Sequence, residues 1–324
     1  MTARIRFRPR RIERSGDDSP ASSLRTFVVR MTGCWQIVAC GLSLVVTGLA
    51  LAPIELQRRL IDDGVMKSDG GLVITLGLIY LGVILLHQAS KFALAMLQSW
   101  MSESAIIYTR RHLWRLRGDE PSPNGEGRDI VNVLSIEVEA LGGFAGAAPS
   151  QALANAAMLL GGLGYMFYVQ PAVALCGLAL LAPQAVLAPL MQRRLNRLIS
   201  IQVRLKRRYA AAIGDEAPPD RKEMKIRTGH LFRNRMTFVL WKTMLKAGLN
   251  LLNAAAPVAV LVVGGLMVIA GQSTVGVIIS FVGGFNRLAE PVRQLIAFYR
   301  EAAEAGVRHD MVAEWMTSSS SSDR

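Results

Sequence analysis

The sequence predicts an all-α integral membrane protein, six transmembrane helices with long cytoplasmic helical extensions. Three observations lead there. Residues 141–192 and residues 247–286 contain no Asp, Glu, Lys or Arg. Each run is long enough to cross a bilayer twice, at roughly 20 residues per ~30 Å of hydrocarbon core. Between them, residues 192–246 are crowded with Lys and Arg. A basic segment held between two membrane hairpins lies on one side of the membrane, and excess Lys and Arg marks the cytoplasmic side.

Composition agrees. The chain of 324 residues is 51% hydrophobic with a formal net charge of +13. Its charges are gathered into blocks beside apolar runs, which disfavours nucleic acid as the partner and favours anionic lipid at cytoplasmic loops. Cys34, Cys40 and Cys176 are isolated within apolar segments and read as small buried apolar residues without metal-ligand spacing. The Arg-rich start is not followed directly by an apolar region, so no cleavable signal peptide is expected.

Taken in order, residues 1–21 read as a disordered cytoplasmic tail carrying Arg4, Arg6, Arg8, Arg10, Arg11 and Arg14. Leu24, Phe27, Val28 and Met31 then fall at i, i+3, i+4 and i+7, the stripe of a short amphipathic helix lying in the inner membrane interface. The other reading of this segment is a frayed start of the first span. That span is placed at 33–53, ending at Pro53. An outer loop follows with Glu55, Arg58, Arg59, Asp62 and Asp63. The second span is placed at 72–98, with the helix continuing to Leu116. A Pro- and Gly-rich break at 117–127 precedes a helical pattern through Ile130, Leu134, Val138 and Leu141. The third and fourth spans, 142–169 and 171–191, are divided at Pro171, which cannot continue the preceding helix. The basic segment reads as helix, break and helix, the break marked by Ala217, Pro218 and Pro219. The fifth and sixth spans are placed at 247–270 and 275–298, and residues 317–324 form a Ser-rich tail.

With this layout 33 of the 37 Lys and Arg fall on one side, and three fall in the outer loop 54–71. Both termini are therefore expected inside. The inner connections are long and the outer turns minimal. A simple carrier has no use for stalks projecting ~30–40 Å, whereas a machine driven by a cytoplasmic partner does.

Several stretches together resemble the transmembrane domain of ABC exporters, the type-1 ABC transporter membrane domain. Residues 53–65, PIELQRRLIDDGV, are similar to the exit from that family's first helix, with Asp62 at the usual acidic position. Residues 110–117, RRHLWRLR, are similar to its descending inner arm. Residues 271–277, GQSTVGV, followed by 287–295, RLAEPVRQL, are similar to its last hairpin and sixth helix. The resemblance covers 22–316. It implies an ABC exporter-type bundle whose inner connections each end in a coupling helix docked on an ATP-binding domain. The first would include Asp119 and Glu120, and the second Asp215, Glu216 and Lys222. The resemblance also implies a dimer, homo- or hetero-, with the fourth and fifth helices crossing to the partner. The chain departs from the family's pattern at Pro218 and Pro219, and at Val133 and Glu137, where Arg and Asp are commoner. It contains no G-x-x-x-x-G-K-[ST] stretch to cradle ATP phosphates, so it is not expected to be an enzyme by itself or to bind a cofactor directly. ATP would enter through an ATP-binding cassette subunit or half-transporter.

Arg287, Glu290 and Arg293 lie at i, i+3 and i+6 in the sixth helix. An ionisable residue within a span usually faces a bundle interior or wet cavity, so Arg287 and Glu290 are candidates for the substrate path, with His87 of the second span a weaker one. The other reading is an Arg–Glu helix pair at the inner interface. Gly161, Gly164, Gly264 and Gly265 are expected to permit close helix packing. The leading expectation is the membrane-spanning subunit of an ATP-driven exporter in the inner membrane. The alternative is a non-transporting scaffold or regulatory remnant that lost its ATPase domain.

Overall fold

The computed structural model describes residues 8–10, 12, 21–116, 137–214 and 220–322. The elements are α1 (Leu24–Thr32), α2 (Trp35–Arg59), a π-helical segment (Leu60–Val65), α3 (Gly70–Leu116), α4 (Val138–Val169), α5 (Pro171–Gly214), α6 (Arg221–Ile269) and α7 (Val275–Ser322). Among the described residues there is no strand.

Length is the first physical fact about these helices. α3, α5, α6 and α7 contain 47, 44, 49 and 48 residues. At 1.5 Å per residue each reaches ~65–75 Å, about twice the hydrocarbon core of a bilayer. Apolar spans and polar extensions are thus single continuous rods. Five stretches of the described residues are long and apolar enough to cross a membrane: Trp35–Val65, Gly70–Leu116, Val138–Val169, Lys222–Ile269 and Val275–Glu314. The expected fourth span, 171–191, is the opening half of α5.

The helix boundaries follow local chemistry. Ser23 caps α1, its hydroxyl accepting from the Thr26 amide at 3.3 Å. Gly33, at φ 55°, ends that helix, and its amide donates to the Val29 carbonyl at 2.8 Å. Asp69 accepts from the Leu72 amide at 3.0 Å and starts α3. Gly271, at φ 72°, turns the chain between α6 and α7.

The stretch after Pro53, expected as an outer loop, begins as helix. Pro53 lies inside α2, and the helix runs through Arg59 into the π-helical segment. Pro149, Pro257 and Pro291 are likewise inside helices. In an apolar medium no water replaces a broken backbone hydrogen bond, so the chain stays helical around a proline that would end a helix in water. The C-terminal helix also continues to Ser322, through residues assigned to a Ser-rich tail.

The chain divides into two units. One comprises Met1–Tyr165 and Glu290–Arg324, the other Met166–Ala289. In the first unit α2 and α3 pack as a hairpin. Its main core joins Phe27, Val28 and Met31 of α1 to Ala105 and Leu113 of α3, Leu141 of α4, and Val312 and Met316 of α7. The apolar stripe of α1 is therefore covered by protein, where the sequence expectation set it against lipid. The four helices that converge there offer enough apolar surface to bury it.

The tail expectation is also corrected in part. Residues 8–10 and Ile12 are docked on the first unit. The indole of Trp100 donates to the Arg8 carbonyl at 2.9 Å, and the Arg10 amide donates to the Ser104 hydroxyl at 3.0 Å. The Arg10 guanidinium donates to the carbonyls of Met31, at 3.2 Å, and Thr32, satisfying the last turn of α1. Ile12 packs on the main core.

Within the apolar runs the packing is of a different kind. A Cβ on Gly146 of α4 would stand 2.6 Å from the Ser102 amide nitrogen and 2.8 Å from the Gln98 carbonyl oxygen of α3. The two backbones touch, and Gln98 donates to Ser150 at 2.8 Å with both side chains buried. Thr47 of α2 reaches the Ala154 carbonyl of α4 at 3.4 Å. Small residues and interhelical hydrogen bonds hold such helices where lipid tails are as apolar as leucine. Gly161 conforms to its expected packing role, a Cβ there standing 2.9 Å from Leu51, whereas Gly164 has nothing within 4 Å.

In the second unit α5 and α6 pair as a hairpin. Gln170 ties one end, donating to the Gln272 carbonyl at 3.2 Å. Asn234 donates to the Leu198 carbonyl at 3.2 Å, and the Arg194 guanidinium lies over the Trp241 ring at 4.0 Å. A Cβ on Gly177 would overlap the Phe285 ring, so that glycine makes the room this buried aromatic needs. A Cβ on Gly264 would meet Ile278 at 2.9 Å, while Gly265 has nothing within 4 Å.

Candidate functional site

A densely bonded polar group of the first unit stands where α2 gives way to the π-helical segment. The Glu55 carboxylate accepts from Arg58 at 2.7 and 2.8 Å, from Arg59 at 2.6 Å and from the Tyr165 hydroxyl of α4 at 2.5 Å. Arg58 also faces Asp62 at 3.6 Å. Two carboxylates and two guanidiniums balance, so this end of the apolar run carries no net charge from them. Nearby, Gln57 donates to the Tyr80 hydroxyl of α3 at 3.1 Å. The arrangement cross-links α2 to α3 and α4. It contains no nucleophile–base pair, and its chemistry is that of a clamp. Just beyond it Lys67 donates to Asp63 at 2.7 Å, and that carboxylate holds the ammonium above the usual lysine range.

The spacing of Glu55, Arg58 and Arg59 is i, i+3, i+4, which signals an ion-paired helix face. The sequence reading of 54–71 as an outer loop beyond the uncharged span hides this face, which the continued helix creates. Nothing in the sequence points to Tyr165, which lies 110 residues away.

A groove of about 260 Å³ lies between α4 and α7 in the first unit. Ala140, Gly143 and Ala147 form its α4 wall, and Glu301, Glu304 and Arg308 its α7 wall. Arg308 is held by Glu137 at 2.7 Å, with both side chains half-buried. This ion pair uses the very position where the resembled family more often has Asp.

Glu290, exposed on α7, accepts from Arg293 and from Gln294 at 2.5 Å. Its bonds are those of the helix-pair reading given above. Arg287 is half-buried one turn earlier on the same helix, in the second unit. His87 is half-buried on α3, in the first unit. Of the expected coupling residues, Lys222 is exposed in the first turn of α6. Asp119, Glu120, Asp215 and Glu216 lie outside the described residues, as do Val133, Pro218 and Pro219. Of the cysteines, Cys34 is exposed rather than buried.

Comparison with known families adds one finding. The model of the ABC transporter transmembrane region matches residues 36–203, more than half of the chain. The matched part runs from the start of α2 into α5. No curated protein matches the chain.

Proposed function

Because this chain belongs to the family of ABC transporter transmembrane regions, we propose that it is the membrane-spanning subunit of an ATP-driven exporter. It is an integral membrane protein, with six spans in this reading and both termini in the cytoplasm. The family match across 36–203 carries the proposal. The rods of α3, α5, α6 and α7 support it, because each outruns any bilayer by about its own thickness.

Two six-helix units, identical or not, enclose one cavity in this reading. A separate ATP-binding cassette subunit, or a half-transporter bearing one, grips the two inner connections. Asp119, Glu120, Asp215, Glu216 and Lys222 belong to those connections, and Arg287, Glu290 and His87 to the path. ATP-driven closure moves the rigid rods together at their inner ends and opens the cavity outward, a rigid-body transition between two packed states. ATP hydrolysis resides in the partner.

The test is recovery of the protein from its own membranes in mild detergent. An ATPase subunit copurifying with it, and ATP-dependent uptake into inverted vesicles containing both, is the expected outcome. Recovery without any ATPase, with unaltered vesicle contents, overturns the exporter reading in favour of a non-transporting scaffold.

A further inference from the structure

The hairpin of α5 and α6 has a charge problem that its own residues do not solve. No Asp or Glu occurs between Glu139 and Asp215, or between Glu223 and Glu290. The helix α5 therefore contains no carboxylate, and α6 contains one, Glu223, in its first turn. Arg227 is paired with Glu223 at 2.6 Å. Arg193, Arg194, Lys242 and Lys246 are all exposed, and no carboxylate is paired with them among the described residues.

These four share a level along the hairpin. The uncharged run of α5 ends at Gln192, and that of α6 begins at Ala247. Arg193 and Arg194 follow the first directly, and Lys246 and Lys242 precede the second by one and five residues. On both helices the cations thus stand within ~8 Å of the apolar boundary. Trp241 marks the same level, half-buried beneath the Arg194 guanidinium at 4.0 Å. Tryptophan favours the headgroup layer, and stacking orients the guanidinium while leaving its edge free to donate.

We propose that Arg193, Arg194, Lys242 and Lys246 around Trp241 form a binding site for the phosphate of an anionic phospholipid headgroup. The proposal rests on the placement of both apolar runs in the bilayer. An acidic protein surface would satisfy the charges but not their coincidence with the end of both runs. A phosphodiester with its acyl chains along the hairpin satisfies both. A fork of N–H donors on one helix and two point charges on the other suit an oxygen-rich anion.

The full-length protein is reconstituted in nanodiscs of equimolar phosphatidylglycerol and phosphatidylcholine. Lipid retained after release is counted by native mass spectrometry. The collar variant carries Arg193→Gln, Arg194→Gln, Lys242→Gln and Lys246→Gln. A control removes equal charge further out, with Arg204→Gln, Lys206→Gln, Lys225→Gln and Arg233→Gln, all at least ~18 Å from the apolar boundary and beyond a Debye length. The expected result is preferential retention of phosphatidylglycerol by the wild type and the control, with retention falling about fivefold per cation removed in the collar variant. Added inorganic phosphate leaves wild-type retention unchanged. Equal loss in both variants, no loss in either, or displacement by inorganic phosphate overturns the site. Carbonate extraction of the native membranes separates the two readings. Release of the wild-type chain refutes its membrane placement, whereas an embedded chain with no lipid preference refutes the headgroup site alone.

Discussion

Gly146 shows how one missing side chain sets a helix interface. Its Cβ position is occupied by the backbone of α3, so Gly146→Val forces α3 and α4 apart and strains the buried bond from Gln98 to Ser150. The expected cost is about 1–3 kcal/mol, read as a lowered thermal transition in detergent. Gly143, with nothing within 4 Å of its Cβ position, accepts Ala without such a loss. At Glu55 the expectation is graded. Tyr165→Phe removes one of four donated bonds and costs ~1 kcal/mol, whereas Glu55→Gln discharges the acceptor of both guanidiniums and costs about 1.5–3 kcal/mol. Thermal unfolding of the two variants in one detergent checks the order, and an equal effect refutes the clamp.

At the scale of elements, α1 is held at both ends by groups outside it. Ser23 caps its start, and Arg10 satisfies its last carbonyls. Ser23→Ala is expected to weaken the helix by ~1 kcal/mol. Arg10→Ala releases both the docked segment and the end of α1. Hydrogen exchange is then expected to accelerate at the amides of α1 and not at those of α5. The Glu137–Arg308 pair makes a similar tie between α7 and the residue leading into α4. Charge reversal of either residue alone lowers stability, and the double reversal recovers most of the loss. A double-mutant cycle in detergent measures that coupling, and additive single effects disprove the tie.

At the scale of the whole molecule, orientation is the property everything else depends on. With the native cysteines replaced by Ala, Lys67→Cys is expected to react with an impermeant thiol reagent in intact cells. Ser200→Cys reacts only after the membrane is opened. The reverse pattern overturns the orientation, the coupling role and the headgroup site together.

Much of the helical layout was legible beforehand. The turns at Gln170 and Gly271 fall where Pro171 and the Gly-Gln-Ser-Thr stretch indicated, and α3 runs unbroken to Leu116. Two expectations differ from the structure. Charged residues directly after an uncharged span read as a loop, yet Glu55, Arg58 and Arg59 pair on one face and the helix continues through them. The stripe of α1 is covered by protein and not by lipid, because an apolar face on one helix does not say what covers it.

Composition and charge order by themselves determined that this protein has apolar spans, where they divide, and which segments carry the positive charge. Burying a helix in hydrocarbon depends on a run of local residues, so that information is written locally. Only the tertiary structure decided that Tyr165 reaches Glu55, that Arg308 meets Glu137 across 171 residues, and that Arg10 folds back on Thr32. Those contacts depend on which faces of long rods meet, and a small rotation of any rod changes its partner without altering a single local preference.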